Sequence, residues 1–555
     1  MKSCPTCHQT FENDALKFCR HDGAVLVTGA GNLIESEPAP NWSDLLVDTL
    51  PDVQVEPPAQ GAKRVSTSVA VEDHQEFPAT LKLKSGTIKK LASVAVLRFL
   101  NESNDRENEY FSQGLADEIL ISLTRLEGLR VAARASAFSF AKGSPVSEVG
   151  RALDVGSVLE GSVKRINDQL EVRVRLIDVA NGHEIWTGRY DRTVKDIFDV
   201  QNEIVLAVAN VLKVGNVDGS ILVVAPPLPT ENLASYELYL KGRHQFHKAT
   251  ADAWEKGASF FIKATEKDPG NASAFAGLAS CYCALWLNGL VRSEQIVPKW
   301  KSATMRSLAI DETSPEARLN LANLTFYYEW SWDEAEREYG RTLELDPRNS
   351  DALQYFAMFL AARRRFDEAI AYALQALSVD PRSLLSNQSA GWVYYFANRP
   401  EEALAQVHKM TAIEPRHDGA YGLLGTIHVS RGSYEEAVEA FKQALSMGGG
   451  QVMLSMLCRS YALTGKRDEA NGLVNLLMAM NKHQYISPYN IARVYNGLED
   501  EDKSFEWLQK ACQERSSELV FFELERTSSS GTAHGKSFAN DERVTELLRS
   551  VGLLA

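Results

Sequence analysis

The sequence predicts a multidomain chain: a small metal-stapled head, an α+β domain and a long all-α solenoid of paired helices. Three observations carry that reading. A signal of acidic residues, alanine and helix breakers returns every 34 residues or so from Ala335 onward, apolar and charged residues alternate from Leu170 to Leu176, and three of the seven cysteines fall within the first 19 residues. At 555 residues the chain is too long for one core, because a domain usually holds about 100–200 residues.

Composition narrows the function classes. A hydrophobic content of 45% with 24% charged residues is that of folded protein. The formal net charge of -14 repels phosphate backbones and anionic lipid, whose binding needs clustered Lys and Arg. The first residues carry no apolar stretch long enough for a signal peptide. Ile221 to Leu228 is short and broken by Pro226 and Pro227, whereas a membrane span needs about 20 apolar residues. A soluble, cytoplasmic protein is expected. An odd number of cysteines, bunched at one end, fits reduced thiols and a metal site better than a disulfide framework.

The repeat is marked twice. Asp333-Glu334-Ala335, Asp367-Glu368-Ala369, Glu401-Glu402-Ala403, Glu435-Glu436-Ala437 and Asp468-Glu469-Ala470 place the alanines 34, 34, 34 and 33 residues apart. Asp346-Pro347, Asp380-Pro381 and Glu414-Pro415 keep the same beat and mark where one helix ends before the next begins. The acidic pair falls in the first turn of a second helix, where the dipole favours negative charge, and alanine lets the paired helices approach. Leu353, Phe356, Ala357 and Leu360, then Ala369, Ala373 and Ala376, follow helical spacing. The repeat from Asp418 does the same with Tyr421, Leu424, Gly425, Ala437, Phe441 and Ala444.

A 34-residue period with two helices per repeat resembles the tetratricopeptide family. About eight repeats are expected across 231–515, with a longer second repeat, a serine at Ser504 where alanine is expected in the last, and a capping segment over 516–555. The resemblance implies a concave groove lined by first-helix residues, which here include Tyr327, Met358, Trp392 and Tyr395 as anchors for a partner segment. The alternative is that these four pack between repeats. The family's best-known groove clamps a terminal carboxylate with basic and amide groups. At comparable places this chain has Asn320, Leu324, Gln354, Met358, Gln388 and Trp392, which suits an apolar or aromatic ligand segment instead.

Residues 91–214 read as the α+β domain. Ser93 to Leu100 is a buried-strand run, and Phe111, Leu115, Ile119, Leu123 and Leu126 follow it at helical spacing. Leu170, Val172, Val174 and Leu176 alternate with charges as a half-exposed strand does, and a helix over Val194 to Leu212 closes the domain. Val94–Leu97, Tyr110–Glu118, Leu159–Val163, Leu176–Asp178, Gly188–Arg192 and Asp196–Phe198 together resemble the TolB-type domain that precedes tetratricopeptide repeats in many bacterial signalling proteins. That resemblance implies a sensory or docking role and supplies no catalytic residues.

At the amino terminus, residues 1–26, Cys4-Pro5-Thr6-Cys7 is a turn whose two thiolates can reach one tetrahedral zinc. Phe18-Cys19-Arg20-His21-Asp22-Gly23 resembles the second knuckle of a zinc ribbon, with Asp22 where the fourth cysteine would stand. A structural zinc held by Cys4, Cys7, Cys19 and Asp22, or His21 instead of Asp22, is expected. A segment this short has too little core to fold without a staple. The alternative is a degenerate ribbon packed on Phe11, Leu16 and Phe18. Residues 27–90, rich in proline and acidic residues, read as a linker, and so do 215–230.

Other signals lead nowhere. Gly531 to Ser537 is one residue short of a phosphate-binding loop, His183-Glu184 lacks its second histidine, and Cys281 and Cys283 point to different sides of a helix. His244 and His247 read as surface or core histidines, and Arg363 to Arg365 as solvated charge at a helix end. No nucleophile can be placed beside a base. The expected function is a non-enzymatic scaffold or adaptor for protein partners, in signalling. One alternative is a regulator contacting nucleic acid through the zinc head, with Lys2, Lys17 and Arg20. A second is an accessory subunit of an enzyme.

Overall fold

The computed structural model describes residues 92–214 apart from 104, 106–107 and 127, then 230–527 and 541–553, with five two-residue strands outside those ranges. In the head, Lys2–Ser3 pairs antiparallel with Thr10–Phe11 and with Val27–Thr28. Cys4, Cys7, Cys19, His21 and Asp22 lie outside the described residues.

The first domain is a mixed sheet with helices. Its elements run β1 (Ala92–Val96), β2 (Leu100–Asn101), α1 (Glu109–Thr124), β3 (Leu129–Val131), α2 (Arg134–Phe138), α3 (Val146–Leu153), β4 (Ser157–Ile166), β5 (Gln169–Asp178), β6 (Glu184–Thr193) and α4 (Ile197–Leu212). Strand order is β3-β1-β4-β5-β6, with β2 also beside β4. β1 pairs parallel with both β3 and β4, while β4, β5 and β6 form an antiparallel meander. This corrects the α+β expectation to a mixed α/β sheet. The reason is physical: Val94, Ala95 and Val96 are fully buried, and a strand covered on both faces is what helical crossovers such as α1 produce. In the meander, Leu170, Val172, Val174 and Leu176 point into the core. Their alternating neighbours form cross-strand ion pairs on the outer face, Arg175–Glu160 at 2.7 Å and Arg189–Glu171 at 3.2 Å.

Eight helix pairs follow among the described residues: α5 (Leu233–Phe246) and α6 (Ala251–Lys267), α7 (Ala272–Leu287) and α8 (Ser293–Ile310), α9 (Pro315–Asn323) and α10 (Trp332–Leu345), α11 (Ser350–Ala362) and α12 (Phe366–Val379), α13 (Leu384–Phe396) and α14 (Pro400–Ile413), α15 (Asp418–Ser430) and α16 (Tyr434–Ser446), α17 (Gln451–Leu463) and α18 (Arg467–Met480), α19 (Pro488–Gly497) and α20 (Glu501–Glu514). Six of these eight first helices start on side-chain caps, all but α17 and α19. Asn271, Ser314, Asn349, Ser383 and His417 each accept a hydrogen bond from the backbone N–H three residues on, satisfying a donor the helix leaves open. Ala335, Ala369, Ala403, Ala437 and Ala470 are fully buried where paired helices touch. Ser504 takes that place in the last pair and donates its hydroxyl to the Ala492 carbonyl at 2.9 Å, so the departure from alanine leaves no unsatisfied group. At Gly425 a Cβ would stand 2.8 Å from the Phe441 ring, which is why that contact needs glycine.

Beyond α9 the backbone widens into a π turn over Leu324–Glu329 and ends at Trp330 in the left-handed region. After α20, Arg515 turns with φ 51°, and the chain runs back as a 3-10 turn, Ser517–Phe521, and α21 (Phe522–Thr527). This segment lies against the first-helix side of the stack. Phe521 meets Phe326 and Tyr327 of the third pair and Phe396 of the fifth, while Phe522 meets Tyr489 of the eighth. Early and late repeats therefore touch. Gln451 Nε2 donates to the Gly289 carbonyl at 2.6 Å, Ser293 Oγ to the Glu514 carbonyl at 2.5 Å, and Arg515 Nη1 to the Tyr328 carbonyl at 2.6 Å. The last helix, α22 (Glu542–Ser550), sets Arg543 against Asp502 at 3.1 Å and over the Phe505 ring. No described helix is long and apolar enough to cross a membrane.

Candidate functional site

A cavity of about 190 Å³ opens between the first helices of the fourth to eighth pairs and the returning C-terminal segment. Its apolar wall holds Met358, Trp392, Tyr395, Phe396, Met453, Met456 and Phe521, and its polar side holds Arg459, Arg493, Glu518 and Glu525. The repeat itself builds this wall. Met358, Trp392, Thr426, Arg459 and Arg493 occupy one position in five successive repeats, spaced 34, 34, 33 and 34 residues apart, and all five border the cavity. Residues one repeat apart project to the same side of a solenoid, so a stripe runs from thioether through indole and hydroxyl to two guanidinium groups.

Three of the four residues singled out as anchors, Met358, Trp392 and Tyr395, line this cavity and are half-buried. Trp392 meets Tyr395 edge-on at 5.8 Å and stacks on Phe396. Tyr327 is different: it is buried, 6% exposed, and packs on Phe521 and Tyr355 outside the cavity lining. The π turn carries it into the aromatic cluster rather than leaving it open as an anchor. Arg459 and Arg493 escaped the sequence reading, although extending the register of Trp392 by one and two further repeats past Thr426 reaches both.

Burial governs the polar side. Arg459 is 2% exposed, and desolvation, helped by neighbouring Arg493, lowers its guanidinium to about 10. Arg493 pairs with Glu525 at 3.1 Å, and Tyr489 Oη donates to the same carboxylate at 2.8 Å. Burial pushes the Tyr395 hydroxyl up to about 12, with Glu525 adding to it, so the phenol stays a neutral donor.

A second cluster of charged groups joins the mixed-sheet domain to the stack. Asp117, on α1, lies within 2.9 Å of Arg134, 2.8 Å of Arg243 and 3.7 Å of His247. Burial opposes its ionisation, but Arg134 and Arg243 outweigh that and hold the carboxyl well below the usual range. Burial raises neighbouring Glu118 to about 7 and lowers His247 to about 3. Perturbed acids mark reactive sites as well as structural networks. Here Asp117 is saturated by cations between two packed helices, so the arrangement holds a domain junction. Burial also raises Cys283, Cys458 and Cys512 to about 12 and Cys281 further, which makes them poor nucleophiles. Among the described residues no group of three or more His, Cys, Asp and Glu stands in position to hold a metal ion.

Comparison with known proteins places these helices. The tetratricopeptide repeat family model matches residues 326–383 and 389–451, so the helix pairs within those residues are tetratricopeptide repeats. The chain is similar to "Putative adenylate cyclase 3" of Rhizobium meliloti (strain 1021), 31% identical over 223 residues, which is 39% of this chain and 35% of that protein. It is also similar to "Protein O-mannosyl-transferase TMTC3" of Homo sapiens, 27% identical over 138 residues, 22% of this chain and 15% of that protein. The chain thus spans well under half the length of either relative. Among solved structures, Pseudomonas aeruginosa pilF is 20% identical with a TM-score of 0.30, over 39% of this chain and 94% of that one. The tetratricopeptide protein YrrB is 18% identical with a TM-score of 0.25, over 35% and 94%.

Proposed function

We propose that the chain is a non-enzymatic scaffold that captures protein partners against the inner wall of its tetratricopeptide stack, in a signalling setting. The observation that carries this is the cavity walled by Met358, Trp392 and Tyr395, large enough for one apolar side chain. Aromatic residues around a partly dry pocket are the usual anchors of protein interfaces. Methionines such as Met453 and Met456 let such a wall adapt. The cysteines in the stack are buried and protonated, and the buried acids form a junction, which favours binding over chemistry. The 31% identity to a protein named as an adenylate cyclase supports the signalling setting, and the mixed-sheet domain would act there as a TolB-type docking or sensory part.

Affinity capture from the native cell tests the proposal, with the intact chain and its Trp392→Ala/Tyr395→Ala variant as baits. Loss of specific partners with the folded variant supports it; identical partner sets refute this groove. The proposal includes a structural zinc held by Cys4, Cys7, Cys19 and Asp22 or His21, on spacing alone. About one zinc per chain, lost on Cys4→Ser/Cys7→Ser substitution, is the expected result, and content near zero in freshly purified protein removes it.

A further inference from the structure

The returning segment has the features of a bound ligand. It leaves α20 through the left-handed turn at Arg515 and crosses the first helices instead of stacking as a further repeat. Its contacts divide into an aromatic and an acidic one on the cavity side. Phe521 stacks on Phe396 with ring centroids 5.7 Å apart and planes inclined by 14°. Four residues on, Glu525 receives Arg493 Nη2 at 3.1 and 3.2 Å and Tyr489 Oη at 2.8 Å. Phe521 closes the 3-10 turn and Glu525 follows one turn on in α21, and both residues border the cavity.

We propose that residues 516–527 are an intramolecular stand-in for the partner, and that the partner segment this wall accepts is a helix with an aromatic residue four positions before an acidic one. This rests on the groove reading above and names its ligand. The acid is required because Arg493 is 5% exposed, and a buried guanidinium left without its carboxylate is strongly disfavoured. The aromatic is required because Phe326, Tyr327 and Phe396 surround its place. Beside Phe521, the cavity under Trp392 and Tyr395 stays open, so an incoming helix can seat one further apolar side chain that the chain's own segment lacks. That extra contact gives an external helix an advantage over a tethered competitor, whose effective concentration is otherwise in the millimolar range.

A labelled synthetic peptide of residues 516–528 tests this by fluorescence anisotropy, titrated with the full chain and with its Phe521→Ala/Glu525→Gln variant. The variant should bind the peptide at least tenfold more tightly than the unaltered chain, and a peptide carrying the same two substitutions should not bind. Equal affinity for both chains, or no binding by a variant that keeps its helical circular dichroism, overturns the proposal. If the variant does not fold, hydrogen exchange of the unaltered chain decides: excess peptide should accelerate exchange within residues 517–527, and unchanged exchange refutes displacement. Partner capture by the Trp392→Ala/Tyr395→Ala variant is read separately, so a failed stand-in is distinguishable from a failed groove.

Discussion

The carboxylate of Asp380, in the turn that ends the fourth helix pair, accepts a hydrogen bond from the backbone N–H of Ser136 at 2.9 Å, across 244 residues of chain. The Ser136 hydroxyl donates to the same oxygen and accepts from the Arg382 N–H at 2.9 Å, and Arg382 lies over the Phe140 ring. With Asp117 gripping Arg243 of the first pair, the mixed-sheet domain is fastened to the stack at two points three repeats apart. The wall around Trp392 and Arg493 is bordered instead by the C-terminal segment.

Asp117→Asn is expected to destabilise the chain by about 3–5 kcal/mol, the usual cost of removing one partner from a buried ion pair. Arg134 and Arg243 would be left with their charges buried. Urea denaturation followed by intrinsic fluorescence measures it, and a loss under about 1 kcal/mol would mean that water reaches the junction.

Glu118→Gln should act in the opposite direction, and only at higher pH. Glu118 is 4% exposed, with its carboxyl raised by burial from 4.5 to about 7. A raised folded-state value means stability that is fully present below pH 4.5 and lost as pH rises toward 7, because the unfolded chain ionises first. Glutamine stays neutral throughout. The variant should match the unaltered chain at pH 4.5 and exceed it at pH 8 by up to about 3 kcal/mol. Denaturation midpoints at the two pH values check this, and equal differences at both contradict it.

Gly425→Ala should cost about 1–3 kcal/mol, since the new Cβ would stand 2.8 Å from the Phe441 ring. A Gly425→Ala/Phe441→Leu chain should recover part of that loss. Additive losses in the two single variants would place the strain elsewhere.

Local chemistry made the stack readable. Alanine contacts, acidic first turns and Asp-Pro breaks all lie within one repeat, and the family model matches the region they mark. The inner stripe was readable only as far as Trp392, because Thr426, Arg459 and Arg493 continue it with polar groups that look solvated when taken singly. Parallel pairing of β1 with β3 was hidden by the shortness of Leu129–Val131. Phe521 against Tyr327, Arg515 against Tyr328 and Ser136 against Asp380 join residues almost 200 positions or more apart. No periodicity encodes such contacts, so the closing of the stack and the burial of Tyr327 emerged only from the structure.

If partners are held at the wall around Trp392, quantitative capture of native partners should separate the intact chain from the Trp392→Ala/Tyr395→Ala variant, both checked for an unchanged melting profile. Capture should fall at least tenfold, the effect of losing about 1.4 kcal/mol or more of anchor energy. Equal capture by a stably folded variant would contradict the account.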